Sequence, residues 1–114
     1  MTGATYQSIS TMIQSLGIPY AYYQFPEGTE QATPFICFYF SDTEGVYADN
    51  VTYSRHTTLV IELYTDDKRF DLEEQIENLL TQNELPFRRY ESYIDSEQMI
   101  MQTYETEVYI NGRD

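Results

Sequence analysis

Apolar residues recur along this chain with two periods, and the switches between them mark out its elements. Ile9, Met12, Ile13 and Leu16 fall on one helical stripe. Gly17 is placed to close that helix in a left-handed conformation, and Pro19 prevents its resumption. Tyr20 to Phe25 is extended and aromatic, a predicted strand, and Pro26-Glu27-Gly28-Thr29-Glu30 is turn chemistry that opens a loop running to about Pro34. Phe35 to Phe40 is an unbroken apolar run of strand length, expected to be a central strand covered on both faces. The polar stretch from Ser41 to Asn50, with Gly45, reads as a loop or hairpin tip. Thr52 to Tyr64 reads as the longest strand, with Leu59, Ile61 and Leu63 on one side.

A second helix is predicted to start on Thr65-Asp66-Asp67, where oxygen-bearing side chains cap and acids meet the positive end of the helix dipole. Leu72, Ile76, Leu79 and Leu80 form its apolar stripe, and Asp71, Glu73, Glu74 and Glu77 are expected largely in solvent. Pro86 requires an end near Asn83. Phe87 to Ile94 and Met99 to Ile110 read as strands joined by the tight turn Asp95-Ser96-Glu97-Gln98. In the last strand Glu105 and Glu107 alternate with Thr106, Val108 and Ile110, so one face should be wet. The order αβββαββ predicts an α+β fold: a mainly antiparallel sheet of four to five strands with two helices packed on one face. Residues 1–114 form a single domain, with a frayed tail at 111–114.

Charge narrows the partners. Six Lys and Arg oppose nineteen Asp and Glu, a net charge of −13. Binding through nucleic-acid phosphates needs clustered cations, and the adjacent pairs Lys68-Arg69 and Arg88-Arg89 are each flanked by acids. Neither direct nucleic-acid binding nor an anionic membrane surface is expected. Twelve Tyr and six Phe argue against acidic disorder, and the tyrosines suit half-buried sheet faces and subunit contacts alike. The N-terminus carries no readable signal peptide, so folding in a cytoplasm is expected.

The chemistry-bearing residues compose no active centre. Cys37, the single cysteine, lies in the apolar run with no neighbouring base in sequence, and reads as a small buried hydrophobe. His56, the single histidine, shares a strand face with Ser54, a spacing any strand provides, and no second ligand completes a zinc site. Asp66, Asp67, Asp71 and Glu74 offer oxygen atoms to a hard cation, but lack the glycine-turned loop of a calcium site and read as a capped first turn. The isolated glycines form no phosphate loop. Asn50-Val51-Thr52 fits the glycosylation pattern by coincidence. No catalytic residue, cofactor or metal is expected.

A set of ordered segments carries a resemblance. Leu16-Gly17-Ile18-Pro19-Tyr20, Phe25-Pro26-Glu27-Gly28, Pro34-Phe35-Ile36, Tyr47-Ala48-Asp49-Asn50, Ile61-Glu62-Leu63-Tyr64-Thr65-Asp66 with Lys68, and Ile94, Ser96-Glu97 and Tyr104-Glu105 resemble a family of small tail-completion proteins. That family is encoded by long-tailed phages and prophages of Gram-positive bacteria. The resemblance implies a virion structural protein, a tail terminator or head–tail joining component. It implies self-assembly into a ring, typically six-fold, that meets the tail tube protein and head connector proteins at the head–tail interface after assembly in the host cytoplasm. No catalytic site or cofactor is implied. Ring contacts of the heterologous kind would fall on the 41–51 segment and the Tyr-rich strand ends, with Tyr47, Asp49, Asn50 and Tyr53 as the candidate subunit-contact residues. Two other classes compete: an acidic DNA mimic or other cytosolic protein-binding module, which needs carboxylates spaced like phosphates, and a small hydrolase with a carboxylate-only site.

Overall fold

The computed structural model describes the backbone of residues 4–28, 31–48 and 51–111, and the side chains of these ranges except 46–48, 51–54 and 111. Helix α1 (Tyr6–Gln14) starts on a reciprocal cap. Thr5 Oγ1 accepts the Ser8 backbone N–H at 2.9 Å, and Ser8 Oγ accepts the Thr5 N–H at 3.0 Å. After the helix Gly17 takes φ 72°, the left-handed geometry expected of it. Strand β1 (Tyr20–Tyr22) is shorter than predicted because Tyr23 also turns to φ 72°, which breaks the extended run.

Strands β2 (Phe35–Ala48) and β3 (Val51–Thr65) form one long antiparallel ladder. The expected loop at 41–50 is therefore corrected: strand pairing continues to Ala48 and resumes at Val51. The described residues Asp42 to Gly45 are exposed, so polar side chains suit a strand there as well as a loop. A bulge between Ser41 and Glu44, with Asp42 at φ 52°, bends the ladder where the apolar run ends. Fourteen residues of strand span about 45 Å, which accounts for the molecule's 50 Å long axis. The radius of gyration is 15.1 Å, against about 13 Å for a compact chain of this length.

Helix α2 (Phe70–Gln82) begins later than predicted. Thr65 is committed to the ladder opposite Ile100, so residues 66–69 must carry the chain from sheet to helix layer. Arg69 occupies the N-cap position without a side-chain cap, and the cap expected on Thr65-Asp66-Asp67 is not formed. The helix ends as predicted at Asn83, whose Nδ2 donates to the Leu79 carbonyl at 2.8 Å. Strands β4 (Phe87–Ile94) and β5 (Met99–Asn111) then form a hairpin through the turn at 95–98.

The strands assemble into one five-stranded sheet in the order β1-β2-β3-β5-β4. Among the strand pairings of the described residues the β1–β2 pairing alone is parallel, and Ala4 adds an isolated parallel bridge to Ile110, so the sheet is mixed but mainly antiparallel. Register places Ile36, Leu63 and Gln102 in one row, Phe38, Ile61 and Tyr104 in the next, then Phe40, Leu59 and Thr106. These rows pack with Ile9 and Ile13 of α1 and Leu72, Ile76 and Leu80 of α2 into one apolar cluster. Both helices therefore cover the same face, as the element order implied. Burying each large aliphatic side chain there contributes roughly 1.5–3 kcal/mol.

Candidate functional site

Strand alternation sends the intervening residues to the opposite face, which no described helix covers. Phe35, Tyr64 and Met101 form one row across it, Cys37, Glu62, Thr103 and Tyr90 the next, then Tyr39, Val60, Glu105 and Arg88. Tyr23 stacks on Tyr39 with ring centroids 4.9 Å apart, and Tyr64 stacks on Phe35 at 4.7 Å. The rings shield Cys37 and Val60, both buried although neither belongs to the helix-side cluster. Burial pushes the Cys37 thiol up to about 11, with the Glu62 charge adding to the shift. The thiolate, the nucleophilic form, is suppressed accordingly.

This face is acidic. Glu44, Glu62, Glu105 and Glu107 point from it, against Arg88 as the one Lys or Arg the register places there among the described residues. Each carboxylate on β3 and β5 has a fixed partner: Glu62 accepts from Tyr64 Oη at 2.9 Å, and Glu105 lies 3.4 Å from Arg88 Nη2. Glu107 accepts from Thr58 Oγ1 at 2.9 Å and meets His56 Nε2 at 2.8 Å, while the His56 ring stacks on Tyr109 at 4.8 Å. His56 is thus a surface pairing residue, and the side chain of Ser54, its imagined partner, lies outside the described residues.

A second polar cluster sits on the helix side, under the start of α2. Glu73 is buried at 3% exposure, which corrects the expectation that it faces solvent. Lys68 Nζ reaches both its carboxylate oxygens at 2.9 Å and also pairs with Glu91, and the hydrogen bond to Glu91 is the main cause that raises the lysine's pKa. Arg89 Nη1 lies 2.7 Å from Glu77 and 3.9 Å from Glu73. Tyr104, fully buried, donates to Glu77 at 3.0 Å, and burial first, then that bond, pushes its hydroxyl far above the ordinary tyrosine range. Gln102 lies between Glu91 and Arg89, and its amide is assigned from these neighbours, nitrogen toward Glu91 at 3.1 Å and oxygen toward Arg89 Nε at 3.0 Å. Every buried side-chain polar atom among the described residues has a partner, so the cluster is a satisfied structural network rather than an orphaned site.

The predicted metal candidates behave as the capping reading supposed only in part. Asp71 is clasped by Arg69 at 3.0 and 2.9 Å, and that hydrogen bond lowers its pKa. Among the described residues no group of three His, Cys, Asp or Glu converges as a metal ligand set. Of the predicted contact residues, Asp49 and Asn50 lie outside the described residues. Tyr47 and Tyr53 have described backbone within β2 and β3, but their side chains lie outside the described set.

Two sheet edges complete the surface. On the β2 side, β1 pairs only as far as Tyr22 opposite Phe38. Beyond it the Phe40 N–H points outward and is met by Tyr22 Oη at 3.3 Å, a side chain standing where a strand would be. A groove of about 540 Å³ runs along this edge on the helix side, walled by Tyr6, Tyr22, Phe38 and Phe40. On the other side β4 pairs with β5 alone. Among the described residues no helix is long and apolar enough to cross a membrane. No protein-family model matches this chain, and no curated protein matches it.

Proposed function

We propose that this protein is a virion structural component at the head–tail junction, a ring-forming tail terminator or head–tail joining protein without catalytic activity. The observation that carries the reading is the sheet face left uncovered by both helices, where four carboxylates and a set of tyrosines share the surface with one arginine at its β4 edge. In a closed ring such a face serves as channel wall. Fixed negative charge along the wall repels a DNA backbone that must pass without sticking.

Pairing of the cations supports the same role. Lys68, Arg69, Arg88 and Arg89 are all held in ion pairs, and the neighbours Arg88 and Arg89 point to opposite faces of β4. Neither adjacent pair is left to grip phosphates. An acidic decoy needs free carboxylates in phosphate-like rows, whereas Glu62, Glu105 and Glu107 are each tied to a neighbouring side chain. The test is light scattering of the purified chain, alone and mixed with tail tubes lacking it. A ring-sized species in either sample supports the reading; a protein that stays monomeric and leaves tubes unchanged refutes it. Tight capture of a basic nuclease or repressor would favour the decoy instead.

A further inference from the structure

The two open edges belong to opposite ends of one sheet, and their chemistry differs in a complementary way. Strand β4 exposes six of its eight residues, Arg88 to Tyr93, and carries Arg88 near its start, Tyr90 at its middle and Tyr93 near its end. Past Phe40, whose N–H is met by Tyr22 Oη, the bare part of β2 runs from Ser41 to Gly45 and carries Asp42 and Glu44, and the exposed rings of Tyr22 and Tyr23 stand at its other end. We propose that β4 of one copy adds to the bare edge of β2 in the next copy, so that a heterologous sheet runs from subunit to subunit.

Topology fixes the direction of this addition. β2 runs against β3, β3 against β5 and β5 against β4, so β2 and β4 of one molecule point opposite ways. Continuing the sheet into a second copy therefore brings β4 beside β2 antiparallel. In that direction the arginine end of β4 meets Asp42 and Glu44, and the tyrosine end meets Tyr22 and Tyr23. The parallel alternative would set Tyr93 against the acids. Arg88 and Glu44 also emerge on the same, uncovered face. Main-chain hydrogen bonds supply the adhesion, and the charge order supplies direction and register.

An unprotected edge is normally blunted against pairing. Here the bulge at Ser41–Glu44 does so incompletely: it bends the edge, which restricts addition to a strand that follows the bend. Contact between two different edges of the same molecule is head-to-tail, the geometry that closes rings. The pairing gives the proposed ring its subunit interface and rests on that reading for its biological setting.

Hydrogen exchange of the full chain, compared between dilute and assembled samples, reads the pairing directly. Slowed exchange at both 41–45 and 87–94 on assembly is the expected result. Charge reversal supplies the second arm, since both side chains are exposed (Arg88 is 71% exposed, its contact with Glu105 a long 3.4 Å), and circular dichroism checks that each variant is folded before assembly is read. Arg88→Glu or Glu44→Arg alone should raise the midpoint concentration of assembly about tenfold, and the double variant should restore it. Protection at one edge only, or at neither, overturns the pairing while leaving the ring reading intact. A chain that remains monomeric overturns both. Edge protection in a ring that fails to bind tails keeps the pairing and refutes the head–tail role.

Discussion

Lys68 and Glu73 show how much one side chain can hold. Glu73 is buried and takes its nearest cation contact from Lys68, with Arg89 at 3.9 Å too long to replace it. Lys68→Met leaves a buried carboxylate with a weak partner, a loss of roughly 1–3 kcal/mol in urea unfolding. The double variant Lys68→Met/Glu73→Leu should lose less than the single one, because removing both charges removes the desolvation penalty. Tyr104 and Tyr64 make the second residue-scale case. Both hydroxyls are raised far above the ordinary 10.0, first by burial and then by donating to Glu77 and Glu62 respectively. The fold holds the neutral phenol, and the unfolded chain ionises first. Their stabilisation is therefore whole below pH 10.0 and is lost as pH rises further. Cys37 adds to the same decline between 9.0 and about 11. The unfolding midpoint in urea should fall steeply above pH 9, and a midpoint flat to pH 11 would contradict this assignment. A thiol reagent at pH 7.5 should label Cys37 only after unfolding.

At the scale of elements, helix α1 depends on its cap. Thr5→Ala removes the side-chain half of the reciprocal bond and should cost about 1 kcal/mol in thermal or urea unfolding, with Thr5→Ser close to wild type. Legibility in the sequence also divides at this scale. The helical stripes through Ile9, Met12 and Ile13 and through Leu72–Leu80, the stop at Asn83 and the β4–β5 hairpin follow from periodicity and turn chemistry and appear where expected, whereas Leu16, the last residue of the first stripe, lies past the end of α1 at Gln14. The segment after Ser41 misled because a strand exposed at its surface has no reason to be apolar, so composition favoured a loop. The start of α2 misled because Thr65 is drawn into the ladder with Ile100, a tertiary demand that local capping chemistry cannot reveal. Glu73 was invisible for a related reason: its burial is created by Lys68 before the helix and by β4 and β5 beyond it. The wet face of the last strand, by contrast, was readable from Glu105 and Glu107 alone, and both lie on the uncovered face.

For the whole molecule, one asymmetry governs the account. Apolar rows, both helices and the paired Lys68–Glu73–Arg89–Tyr104 network occupy one side of the sheet, while Glu44, Glu62, Glu105 and Glu107 with Tyr39 and Tyr64 lie on the side no described helix covers, and two edges with complementary ends bound it. The ring reading uses all three: helices outward, acidic face inward, edges joined. The most direct test is electron microscopy of the protein assembled on the ends of purified tail tubes that lack it. A closed ring whose channel is walled by the β2–β3–β5 face, with Glu62, Glu105 and Glu107 toward the lumen and α1 and α2 outside, is the predicted result. A lumen lined by the helices, or a neutral or basic one, or tube ends left bare, would contradict it.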